Sequence, residues 1–150
     1  MGLRERISED MKTAMKSGAK VELETLRMIR AQILEFEKRG EGTEMSPEQE
    51  LAILTTAAKK RREAIEQYEK ANRPELAETE KLELEIIARY LPAQASDEEI
   101  QTVIARIVSE TGANSAKDFG KVMPAVMKEL KGKADGKRIQ ELVKETLSRG

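Results

Sequence analysis

The chain has 150 residues, 37% of them charged, with 27 Lys plus Arg against 28 Asp plus Glu, and it contains neither Cys nor His. That inventory removes thiolate, imidazole and Cys/His zinc chemistry together, leaving carboxylates, lysines and hydroxyls as the candidate reactive groups, so no cofactor or metal is expected. A chain of this size buries roughly two-thirds of its unfolded surface on folding, so a core without disulfides is within reach. The opening MGLRERISED reaches charge at once, and no stretch approaches ~18 consecutive apolar residues. The expectation is a soluble, cytoplasmic protein with no membrane span.

Leu, Ile, Val and Met recur at helical spacing through most of the chain, whereas runs that alternate β-branched and polar residues are absent. The expected fold is all-α and multihelical. Leu3, Ile7, Met11 and Ala14 or Met15 form one stripe that stops at Ser17-Gly18. A second helix, from about Val21 to Arg39, turns Leu23, Leu26, Ile29, Ile33 and Phe36 or Leu34 inward and ends in a glycine loop at Gly40-Glu41-Gly42. Ser46-Pro47-Glu48-Gln49 combines a capping hydroxyl, a proline suited to the first helical position and a Gln that reaches back to the cap. The helix it starts carries Leu51, Leu54, Ala58, Ile65 and Tyr68 and ends near Ala71-Asn72, ahead of Pro74. Pro74 opens a fourth helix with Leu76, Leu84, Ile87 and Leu91 inside, stopped by Pro92 and expected to be central because Leu82 to Leu91 is so apolar.

A domain boundary is expected at residues 92–96, dividing the chain into an N-terminal four-helix part, 1–92, and a C-terminal three-helix part, 93–150. Ser96-Asp97-Glu98-Glu99 is a second capping box, heading a helix with Ile100, Val103, Ile104, Ile107 and Val108 inside that ends at Gly112. A helix from about Ser115 or Asp118 to Leu130 follows. The turn Lys131-Gly132-Lys133-Ala134 then leads to a last helix capped by Asp135, with Ile139, Leu142, Val143 and Leu147 on its face.

Residues 117–138 hold seven basic and three acidic side chains in a chain that as a whole is nearly neutral. On a wheel of about 100° per residue, Phe119, Val122, Met123, Val126, Met127 and Leu130 gather on one side, with both methionines read as core. Lys117, Lys121, Lys128 and Lys131 fall within an arc of about 80° nearly opposite, and the next turn adds Lys133, Lys137 and Arg138. A solvated polar face accounts for some of these cations; their one-sided accumulation points to an anionic partner. Asp135 at the helix cap would repel an anion from the backbone N–H groups there, so phosphate is expected beside the turn. Pro124 falls on the lysine side and predicts a kink or break near residues 120–124.

Two other charged stretches have simpler readings. Lys59-Lys60-Arg61-Arg62 wraps around its helix, and Lys59/Glu63, Arg62/Glu66 and Glu66/Lys70 are spaced for neutralising pairs, giving a solvated, salt-laced helix. Glu80, Glu83 and Glu85 read as surface carboxylates.

The segments KRREAIEQYEKANRPELAETEKLELEIIARYLP (60–92) and DFGKVMPAVMKELKGKADGKRIQELV (118–143) resemble the GatB/YqeY family in its stand-alone, YqeY-like form. The carrying motifs are G-K-V-M at Gly120 to Met123 and K-G-K-A-D-G at Lys131 to Gly136, with Pro124 departing from the glycine common at that position. In that family the module also forms the tail of the B subunit of the tRNA-dependent amidotransferase, where it is thought to contact tRNA. The resemblance implies a two-part helical fold and carries the RNA-contact role onto Lys121, Lys128, Lys131, Lys133, Lys137 and Arg138. It also implies an association with carbon–nitrogen ligase activity using glutamine as amido-N-donor, which needs a glutaminase and a kinase-like site that this sequence does not contain. The expected function is therefore a non-catalytic tRNA-binding protein. Its rivals are an adaptor docking on an amidotransferase or aminoacyl-tRNA synthetase and an amidotransferase accessory.

Overall fold

Two proline-led helix starts and two left-handed glycine stops punctuate the fold. In a computed structural model that describes residues 2–40 and 45–149, the chain builds seven α-helices and no strand among the described residues. They are α1 (Leu3–Ser17), α2 (Lys20–Arg39), α3 (Pro47–Lys70), α4 (Pro74–Ala88), α5 (Asp97–Thr111), α6 (Phe119–Glu129) and α7 (Gly136–Arg149). Both capping boxes form. Ser46 Oγ accepts from the Gln49 N–H at 3.2 Å while Gln49 Oε1 accepts from the Ser46 N–H at 2.8 Å. Ser96 and Glu99 repeat the exchange at the head of α5. Gly18 and Gly112 close α1 and α5 at φ of 73° and 71°, where a side chain would be strained. The glycine loop expected after α2 lies, beyond Gly40, outside the described residues.

The helices condense into two compact units, one up to Leu91 and one from Pro92. The first buries Leu3, Ile7, Leu26, Ile29, Ile33, Leu54, Ile86 and Ile87 in one core drawn from α1 to α4. Within it Tyr90, immediately after α4, is buried, donates its hydroxyl to the Asp10 carboxylate of α1 and carries the Arg6 guanidinium 5.0 Å above its ring. Burial and the Asp10 charge hold the Tyr90 phenol well above its ordinary range.

Four expectations for this unit need correction. The fourth helix ends at Ala88, not at Pro92, because the backbone tightens into i→i+3 bonds from Arg89, Tyr90 and Leu91 as it approaches the proline. Leu76 is 42% exposed and Leu82 48% exposed, so α4 buries only one flank. Ile65 and Tyr68 are half-buried: the fully buried residues of α3, namely Leu54, Ala57 and Ala58, all lie in its first half. Arg61 does not sit on a solvated face but turns inward to Glu83 at 3.2 Å and Glu80 at 4.0 Å, with only 12% of its side chain exposed.

The second unit has its own core of Ile100, Ile104, Ile107, Val122, Val126, Leu130, Ile139, Leu142, Val143 and Leu147. A single 3₁₀ turn at Ala116–Asp118 leads into α6. The irregularity expected around Pro124 falls here instead, since α6 is continuous through the proline. Gly120, whose carbonyl loses its partner N–H, and Pro124 are both exposed, so the orphaned acceptor lies on the watered side. Met123 packs against the core, but Met127 is 40% exposed, with its methyl 3.3 Å from where a Cβ on Gly136 would sit. The methionine expected in the core thus covers the start of α7.

Candidate nucleic-acid interface

The buried stripe Val122, Val126 and Leu130 fixes the rotation of α6, and that rotation fixes which side chains face water. Lys117, Lys121 and Lys128 are all exposed, as are Lys131 and Lys133 in the turn that follows. The turn is built by Gly132 at φ 76° and by the Lys133 N–H donating to the Leu130 carbonyl at 2.8 Å. The Asp135 carbonyl accepts the Ile139 N–H at 3.0 Å, which places Asp135 at the cap of α7 and Lys137 and Arg138 in its first turn.

The six candidate side chains differ in what holds them. Among the described residues, Lys128, Lys131 and Lys133 form no ion pair. Lys121 stands 3.9 Å from Asp118, a loose contact with the lysine 72% exposed. The Asp118 carboxylate is mainly occupied by the Asn114 N–H at 3.0 Å, and with the nearby Lys121 and Lys117 charges this holds its pKa below the ordinary range. All three guanidinium nitrogens of Arg138 are engaged. Its Nε and Nη2 donate to the two Asp97 oxygens at 3.1 and 2.6 Å, and its Nη1 donates to Glu141 at 3.0 Å. The hydrogen bonds from Arg138 hold the Asp97 carboxyl below its usual range.

This contrast extends across the unit. Its three arginines are all held by carboxylates: Arg106 by Glu110 and Glu129, Arg138 by Asp97 and Glu141, and Arg149 by Glu145. The cations left open are lysines. A lysine offers a point charge, whereas the bidentate fork that reads guanine or grips one phosphate belongs to arginine. The open cations of this unit therefore present point charges and no arginine fork.

Sequence reasoning missed the strap beneath the basic turn. The Gln94 side-chain amide donates to the Gly132 carbonyl at 3.0 Å, and the Ala95 N–H donates to the Lys133 carbonyl at 2.7 Å. Asp97 then closes on Arg138. Residues some forty positions apart meet here, and no local period links them. The rest of the chemistry is sparse: among the described residues no group of three or more acidic side chains could hold a metal, and no helix is long and apolar enough to cross a membrane.

The fold and this surface define an all-α, two-unit protein with exposed lysines beside a strapped turn. The sequence profile described as Yqey-like protein matches residues 4–147, and the chain belongs to that family. It is 30% identical over 148 residues to "Altered inheritance of mitochondria protein 41, mitochondrial" of Pyrenophora tritici-repentis, covering 92% of this chain and 79% of that protein. The protein of the same name from Clavispora lusitaniae is 34% identical over 110 residues, 71% of this chain and 63% of that protein. An uncharacterized protein of Schizosaccharomyces pombe is 32% identical over 95 residues, 63% of this chain and 73% of its own length.

Proposed function

We propose that this chain is a non-catalytic RNA-binding protein whose second unit grips the phosphate backbone of tRNA through Lys121, Lys128, Lys131, Lys133 and Lys137, with Arg138 taking a different task argued below. The observation that carries this reading is that Lys128, Lys131 and Lys133 are exposed and unpaired while every arginine around them is neutralised. Each lysine that neutralises an RNA phosphate releases cations condensed on the RNA, and that release supplies free energy and makes the affinity salt-dependent. Only two Tyr, two Phe and no Trp are available in the chain, which disfavours stacking on single strands and favours recognition of a folded RNA by shape. A cytoplasmic site of action belongs to the same proposal.

Titration of the full chain with tRNA at low salt tests it. Binding is expected, and Lys121→Glu, Lys128→Glu and Lys133→Glu combined should abolish it. No binding by the unaltered chain, or undiminished binding by the triple variant, would rule the mechanism out. Recovery of a salt-insensitive protein partner in place of RNA would favour an adaptor role.

A further inference from the structure

The strap and the fork act on one object. Gln94 and Ala95 hold the carbonyls of Gly132 and Lys133, and two residues further on Asp97 takes Arg138 in a side-on, two-bond fork. Arg138 lies in the first turn of α7, so the turn between Leu130 and Asp135 is tied at its middle, and the helix that follows it is tied too, to residues 94–97. Leu130 and Ala134 anchor the turn on the core and the Lys133 to Leu130 bond closes it, and the ties to residues 94–97 narrow the directions left to the side chains of Lys131 and Lys133.

The Asp97 carboxylate fills the side-on fork of Arg138, the edge formed by Nε and Nη2. Glu141 takes a further N–H on Nη1, so three of the five guanidinium donors are committed to carboxylates. Arg138 with its two carboxylates carries a net charge of −1, which repels an incoming phosphate from that spot and leaves the neighbouring lysines to receive it.

We infer that Asp97 and Arg138 form a clasp that, with Gln94 and Ala95, holds the lysine-bearing turn in its binding shape, and that Arg138 is a positioning residue and not a phosphate ligand. The inference rests on the RNA-binding reading for its affinity readout but not for its structural one. Gln94 and Asp97, outside the basic run altogether, become determinants of the interface. The pair is exposed, so its effect is modest, about two- to fivefold in affinity.

The test uses the full chain and four variants: Asp97→Asn, Arg138→Ala, Arg138→Lys and the exchanged pair Asp97→Arg with Arg138→Asp. Two quantities are read in each: hydrogen exchange of the Ala95 amide, and tRNA affinity as a function of salt. The clasp predicts that Asp97→Asn and Arg138→Ala both speed Ala95 exchange and weaken binding about two- to fivefold with the salt slope unchanged. It further predicts that Arg138→Lys, which keeps the charge but loses the fork, behaves like Arg138→Ala, and that the exchanged pair recovers both readouts. A phosphate ligand predicts otherwise: Arg138→Ala lowers the salt slope by about 0.7–0.9, Arg138→Lys keeps it, and Asp97→Asn strengthens binding. That pattern would overturn the clasp. If the exchanged pair fails to fold, Arg138→Lys decides between them. If the unaltered chain binds no tRNA, the RNA reading fails by itself, and Ala95 exchange still tests the clasp.

Discussion

A side chain's charge says little about its use until its partners are known, and Arg61 and Arg138 illustrate this in opposite units. Both belong to basic runs that look alike in composition, KKRR and KGKADGKR, yet each is spent on internal carboxylates. Arg61 satisfies Glu83 at 3.2 Å and only grazes Glu80 at 4.0 Å. Burial, reinforced by the Glu83 charge, therefore pushes the Glu80 carboxyl above its ordinary value despite the cation nearby. A folded chain that binds this proton more tightly than the unfolded chain is stabilised in full below the unfolded value, and that stabilisation is lost as pH rises through the raised one. Glu80→Gln mimics the protonated side chain. Urea unfolding should show the variant more stable than the parent at pH ~7, with the gain vanishing toward pH ~4, where ordinary carboxylates take up protons. A variant no more stable at neutral pH would show that the Arg61 contact outweighs burial at Glu80.

At the scale of elements, local chemistry was legible and long-range packing was not. The boxes at Ser46 and Ser96 and the stops at Gly18 and Gly112 use groups within four residues of one another, so their pattern is written contiguously. The end of α4 was harder to place, because a proline forbids helix at the preceding residue without saying how many residues earlier the backbone tightens. The burial of Leu76, Ile65 and Met127 depends on whether another helix covers them, which helical period alone does not specify. The capping boxes also yield a number. Ser96→Ala should cost about 1 kcal/mol in a denaturant titration, because the Glu99 N–H loses its acceptor at the head of α5. The same change should leave the helical content of the remaining folded protein intact, and a loss of well under half that size would mean the Glu99 side chain suffices.

For the whole molecule, the all-α class and the exposure of Lys121 and Lys128 on α6 were readable from the chain, since both rest on a period of 3.6 residues, whereas Lys117 falls in the 3₁₀ turn and Lys131 in the turn after α6, off that period. What could not be read was how the strip is edged. Arg106 joins Glu129 and Arg138 joins Asp97 across separations of 23 and 41 residues, and these pairs decide which cations stay open. With the arginines closed, Lys128, Lys131 and Lys133 form the open core of the proposed interface, and the central claim is that their charge is what binds RNA. The most direct measurement is the salt dependence of tRNA affinity for the full chain beside Lys128→Ala, Lys131→Ala and Lys133→Ala combined. If the three lysines each meet a phosphate, the slope of log affinity against log salt falls by about 2–3 in the triple variant, with most of the affinity gone at moderate salt. An unchanged slope, or tight binding that ignores salt in the parent chain, would contradict it.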